Sequence, residues 1–141
     1  MLKKKVMKNI GITIVSLMML GLSVSAASSG SGTLNGYPCE WSVTRGQTVG
    51  SASIKTTGAP TTVGAGVKNY IYCDEIKFGG ISYSKEGAQG QVLPLTGYAY
   101  VTATTGNQFR DSSGILRTGV IQQTNGSFWV NNIPVLEGVV A

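Results

Sequence analysis

Histidine does not occur anywhere in these 141 residues. Its absence excludes the Ser-His-Asp triad, the Cys-His nucleophile pair and every His-ligated metal site. Carboxylates are scarce too: Glu40, Asp74, Glu75, Glu86, Asp111 and Glu137 are the whole supply. Asp74 and Glu75 are adjacent, so on a strand they point to opposite faces and cannot form the facing pair that glycoside hydrolysis needs. No Gly-rich phosphate loop stands between a strand and a helix. Asp111-Ser112-Ser113-Gly114 has the chemistry of a turn and lacks the longer run of oxygen ligands of a calcium loop. The chain is therefore read as non-enzymatic, with no metal and no cofactor.

What is present begins with an export signal. Lys3, Lys4, Lys5 and Lys8 precede an apolar run from Ile10 to Leu22, and Val24 and Ala26 stand where a signal peptidase reads small residues. The run is shorter than the roughly 20 residues that span a bilayer. Residues 1–26 are expected to form a helical, cleavable signal peptide of bacterial style, leaving no membrane span and a secreted, extracellular or cell-surface protein. Its removal takes four lysines and no acid. Seven Lys and Arg then face six Asp and Glu, and the net charge falls from +5 to +1. The remaining basic residues are scattered singly, which argues against a nucleic-acid partner. In an exported chain the isolated pair Cys39 and Cys73 predicts a disulfide, contributing about 3–4 kcal/mol by the chain-entropy argument.

Helical periodicity is missing from the rest, and alternation is frequent. Residues 27–32, all Ala, Ser and Gly, read as a flexible leader, and residues 33–141 as a single β domain. Glu40–Thr44, Gly50–Lys55, Val67–Phe78 and Tyr98–Thr105 alternate as strands do. Thr124-Asn125-Gly126 predicts a hairpin between strands at Ile115–Gln123 and Ser127–Asn131. Further breaks are expected at Thr57–Pro60, Phe78-Gly79-Gly80, Glu86-Gly87, Thr105–Asn107 and Asp111–Gly114. The fold expected is a small antiparallel β-sandwich or barrel-like domain with one disulfide.

Leu93-Pro94-Leu95-Thr96-Gly97 matches the sortase LPxTG pattern, but no apolar span and basic tail follow it, so wall anchoring through it is not expected. The aromatic residues are the better lead. Tyr70 with Tyr72, and Tyr98 with Tyr100, recur at i, i+2, so each pair shares a face. If their strands are neighbours, the four rings form a ligand-binding patch; the competing reading puts them in the core. Phe128 and Trp129 straddle two faces, so only one of them need be buried. The expected function is binding of a cell-envelope polysaccharide or an extracellular protein. The alternatives are a secreted bacteriocin-like toxin, and a surface protein that self-assembles through poorly protected strand edges.

Overall fold

A computed structural model describes residues 24–58, 62–89, 91–92 and 97–141. Most of the expected signal peptide, Pro60 and the first four residues of the LPxTG match lie outside them. The chain runs through β1 (Val24–Leu34), β2 (Tyr37–Gly46), β3 (Gly50–Thr57), β4 (Thr62–Cys73), β5 (Phe78–Gln89) and β6 (Gln91–Val92). It continues through β7 (Gly97–Thr105), β8 (Gln108–Arg110), β9 (Leu116–Thr118), β10 (Val120–Val130) and β11 (Ile133–Val140). Every pairing among the described residues is antiparallel. Sheet A has the order β1-β2-β3-β7-β6 and sheet B the order β11-β10-β4-β5, with β8 and β9 forming a separate ribbon.

The all-β expectation holds, and the alternation explains how the sheets meet. Val43, Ala52, Ile54, Ala99, Val101 and Ala103 of sheet A face Val63, Ala65, Val67, Phe128 and Val130 of sheet B across one buried core. Sheet B reaches beyond sheet A, and there the ribbon closes it. Phe109 of β8 packs with Ile71, Cys73 and Ile121 in a second small core, above Gly80, where a Cβ would collide with the Phe109 ring. The ribbon turn is held by Asp111, whose Oδ1 accepts from the Ser113 and Ile115 backbone N–H groups. Its Oδ2 accepts from Arg117 Nε at 2.9 Å. The hydrogen bond from Arg117 is the main cause that holds the Asp111 carboxyl below the usual carboxylate range. The ribbon thus loses this support as pH falls through that lowered pKa.

Several expectations are corrected. Residues 27–32 are no loose leader but the middle of β1, paired without a break to β2 from Ala26 to Leu34. Small residues fit there because the Trp41 indole lies beneath: a Cβ at Gly30 would stand 2.6 Å from Trp41 Cζ2. Asn125 and Gly126 make no turn; they lie inside the continuous strand β10. The two-residue hairpins are instead Asn35-Gly36 and Asn131-Asn132, all four with the positive φ that such turns require. Gly79, Gly80 and Gly87 fall within β5, and the strand expected at Val67–Phe78 stops at Cys73 before the turn 74–77.

The expected disulfide is also overturned, because Cys39 and Cys73 are both free and buried. Cys39 belongs to the main core and Cys73 to the ribbon-covered one. Asn69 lies opposite the Gly50–Arg45 end of sheet A; Cys39 is six residues to one side of that level and Cys73 four to the other. At about 3.3 Å per strand residue this is a separation of roughly 30 Å, far beyond the ~7 Å Cα limit for a disulfide. Reduction is accordingly expected to leave electrophoretic mobility and thermal midpoint unchanged. A thiol reagent should take up its two equivalents only after denaturation; a mobility shift on reduction would contradict the register.

Candidate functional site

Register decides which side chains look outward. In β4, Val63, Ala65, Val67, Asn69, Ile71 and Cys73 point inward and are buried, so Gly64, Gly66, Lys68, Tyr70 and Tyr72 form the outer set. Pairing to β10 and β5 extends this set into cross-strand rows. The first row is Val120–Tyr72–Gly79 and the second Gln123–Tyr70–Ile81. Asn125–Lys68–Tyr83, Ser127–Gly66–Lys85 and Trp129–Gly64–Gly87 follow. The result is an outward aromatic track interleaved with amide, hydroxyl and ammonium groups.

The track is open to solvent: the Tyr83 ring is 55% exposed and the Tyr70 ring 38%, with the aliphatic Ile81 51% exposed between them. Trp129 lies flatter. A Cβ at Gly66 would come within 3.0 Å of Trp129 Cη2 and 3.2 Å of Tyr83 Oη, and one at Gly64 within 3.3 Å of Trp129 Cε3. The two glycines therefore clear a floor on which the indole rests and toward which Tyr83 leans. Lys85 Nζ stands 4.4 Å from the Trp129 ring centroid, and Lys68 Nζ stands 5.9 Å from that of Tyr70; both are within cation–π range. Beside them an open groove of about 540 Å³ is lined by Gly64, Gly87, Trp129, Lys85 and Asn132 among others. The outer register positions of β10, β4 and β5 carry two ammonium groups, and the exposed carboxylate of Glu86 on β5 adds a negative charge to the groove.

The four tyrosines singled out from sequence do not form one patch. Tyr70 and Tyr72 stand on the outer face of sheet B. Tyr98 and Tyr100 of β7 stand on the outer face of sheet A, because Ala99, Val101 and Ala103 between and beyond them enter the core. Neither pair fills the core. The sheet A face is also unlike the other. Its central Ser42, Thr44, Ser51 and Ser53 are buried, and its hydroxyls bond one another: Thr44 to Ser51 at 2.7 Å, Ser53 to Thr102 at 2.8 Å, and Thr102 to Tyr100 at 2.9 Å.

Sequence reasoning missed Tyr83 and did not assign Trp129 to this face. The signal was there in Ile81-Ser82-Tyr83-Ser84-Lys85, but the flanking glycines read as breaks and hid the strand. Phe128 is fully buried while Trp129 is only partly so, as their adjacency requires. Among the described residues no group of three or more His, Cys, Asp or Glu is placed to hold a metal ion. Comparison of the chain with protein-family models, with curated proteins and with solved structures found no match to any of them.

Proposed function

We propose that this is an exported, non-enzymatic binding module whose sheet B outer face takes a polysaccharide of the cell envelope. The Lys-rich start, apolar run and small residues at Val24 and Ala26 support export. The observation that carries the binding reading is the row pattern of that face: the exposed rings of Tyr70 and Tyr83 stand in successive rows of a rigid sheet, Tyr70 beside the Gln123 amide and Tyr83 beside the Lys68 ammonium. Sugar rings are apolar on their faces and polar on their edges, so stacking with flanking hydrogen bonds suits them. A dry protein interface would favour an aromatic cluster without interleaved amides. Lys68 and Lys85 favour chains that bear acidic groups along the Tyr70 and Tyr83 rows, while Glu86 of β5 disfavours such groups in the groove beside Trp129.

Co-sedimentation with purified cell walls and insoluble polysaccharides tests this. Saturable pelleting is expected. Changing Tyr70 and Tyr83 together to Ala should weaken it by about tenfold or more, on the basis of about 0.5–1.5 kcal/mol per stacked ring. Changing Tyr98 and Tyr100 together should leave it unaltered. Pelleting that follows Tyr98 and Tyr100 instead would move the site to the other face, and no pelleting at all would defeat the proposal.

A further inference from the structure

Among the described residues the two facing sheets have four edge strands, and three of them are protected in recognisable ways. β6 is only two residues long. β5 carries Lys85 and Glu86 and lies against β7 and β8 of its neighbours. β11 is broken by Pro134, by a positive φ at Gly138 and by register shifts against β10. Charges, proline and bulges are the devices that discourage edge pairing.

β1 has none of them beyond Ala26, its one register shift lying between Val24 and Ala26. Its eleven residues contain no charge and no proline, and its register to β2 runs unbroken from Ala26 to Leu34. Among the described residues β2 is its one strand partner, so every second residue turns its backbone N–H and C=O away from the sheet. Nor is the strand loosely held. The Trp41 indole braces it under Gly30 and Gly32. The hairpin that follows is pinned to the other sheet by Asn35 Nδ2, which donates to the Val130 carbonyl at 3.0 Å.

We infer that β1 pairs antiparallel with β1 of a second copy of this chain, joining two sheets A across a two-fold axis. A second copy is the occupant the strand itself favours, because it is complementary to itself. Pairing about Gly30 sets Ser29 of one copy opposite Ser31 of the other, with side chains too small to clash. Cleavage after Ala26 leaves Ala27–Leu34, enough for this ladder. The inference does not depend on the ligand of sheet B, but it would present two copies of that face in one particle and raise avidity for a repeating polymer.

The test uses the chain as processed by an expressing bacterium, its N-terminus read by mass spectrometry. Sedimentation equilibrium is expected to show a monomer–dimer equilibrium, and hydrogen exchange should show concentration-dependent protection confined to β1. The Ser29→Lys and Ser31→Lys double variant sets like charges opposite each other and should weaken the dimer by about tenfold or more, with an unaltered circular dichroism spectrum. A wild type that stays monomeric at millimolar concentration would overturn the inference. So would protection that falls on β5 or β11, or a lysine variant that dimerises like wild type. Exchange on the wild type alone decides the matter if the variant does not fold.

Discussion

Replacing Asn69 with Ala is expected to lower the unfolding free energy by about 3 kcal/mol or more, the cost of stranding several buried groups at once. Asn69 is fully buried where sheet B crosses the end of sheet A. Thr124 Oγ1 donates to its Oδ1 at 2.7 Å, and its Nδ2 donates to the carbonyls of Thr105 and Gly106, each at 2.9 Å. Gly50 comes so close to this cluster that a Cβ there would collide with Asn69 Oδ1. One amide thus ties β4, β10 and the end of β7, and truncation takes the acceptor from the Thr124 hydroxyl and a donor from each of two carbonyls, of which Gly106 keeps the Ser82 hydroxyl at 2.7 Å, in a space too well packed for easy collapse. Urea denaturation should show a midpoint lower by about 1 M or more with little change in slope. Asn69→Asp keeps the shape but exchanges a double donor for a carboxylate facing two carbonyls. Burial and those carbonyls would raise its folded pKa, so that variant should gain stability as pH falls and lose it as pH rises through the raised value. A loss below about 1 kcal/mol in the Ala variant would mean that the amide does not join the sheets.

The same residue shows what sequence carries and what it does not. Alternation along Val67–Phe78 puts Asn69 on one face with Val67, Ile71 and Cys73, because a period of two survives any arrangement of strands. That this face is the core side, and that the amide meets Thr105 and Gly106, depends on which sheets oppose each other; no local pattern encodes that. Tyr98–Thr105 behaves alike: the alternation separated Ala99, Val101 and Ala103 from the tyrosines correctly, but could not say that Tyr70 and Tyr98 stand on opposite outsides of the sandwich. Residues 27–32 misled for a different reason. Ser and Gly are the composition of a flexible linker, and also what fits where an indole fills the room that side chains would use. Cys39 and Cys73 misled because compartment and number say nothing of register. The aromatic track was half visible, since Tyr70 and Tyr72 announce themselves by spacing, whereas Tyr83 and Trp129 join them only through pairing with β4.

Gly126→Ala is expected to cost about 2–3 kcal/mol, and to cost less when Val43 is changed to Ala as well. In a two-residue hairpin the glycine of an Asn-Gly pair serves its positive φ. Gly126 is not among the glycines with positive φ; it sits mid-strand, facing Val67 in the ladder, with its open side toward sheet A. A Cβ there would collide with Val43 Cγ2, stand 3.3 Å from the Ala52 Cβ and 3.4 Å from Phe128 Cζ. The glycine is therefore a notch that lets β2 and β10 approach, and Val43 is the knob that fills it. Val43→Ala alone opens a void and should cost about 2 kcal/mol. Combined with Gly126→Ala, the new methyl enters the space the valine vacates, so the double variant should be more stable than the sum of the two losses by about 1–2 kcal/mol. Denaturation curves for the four proteins of this cycle measure that coupling directly. A turn glycine would give a penalty of about 1 kcal/mol with no dependence on Val43, so an additive cycle would restore the hairpin reading and remove the notch from the account of how the two sheets meet.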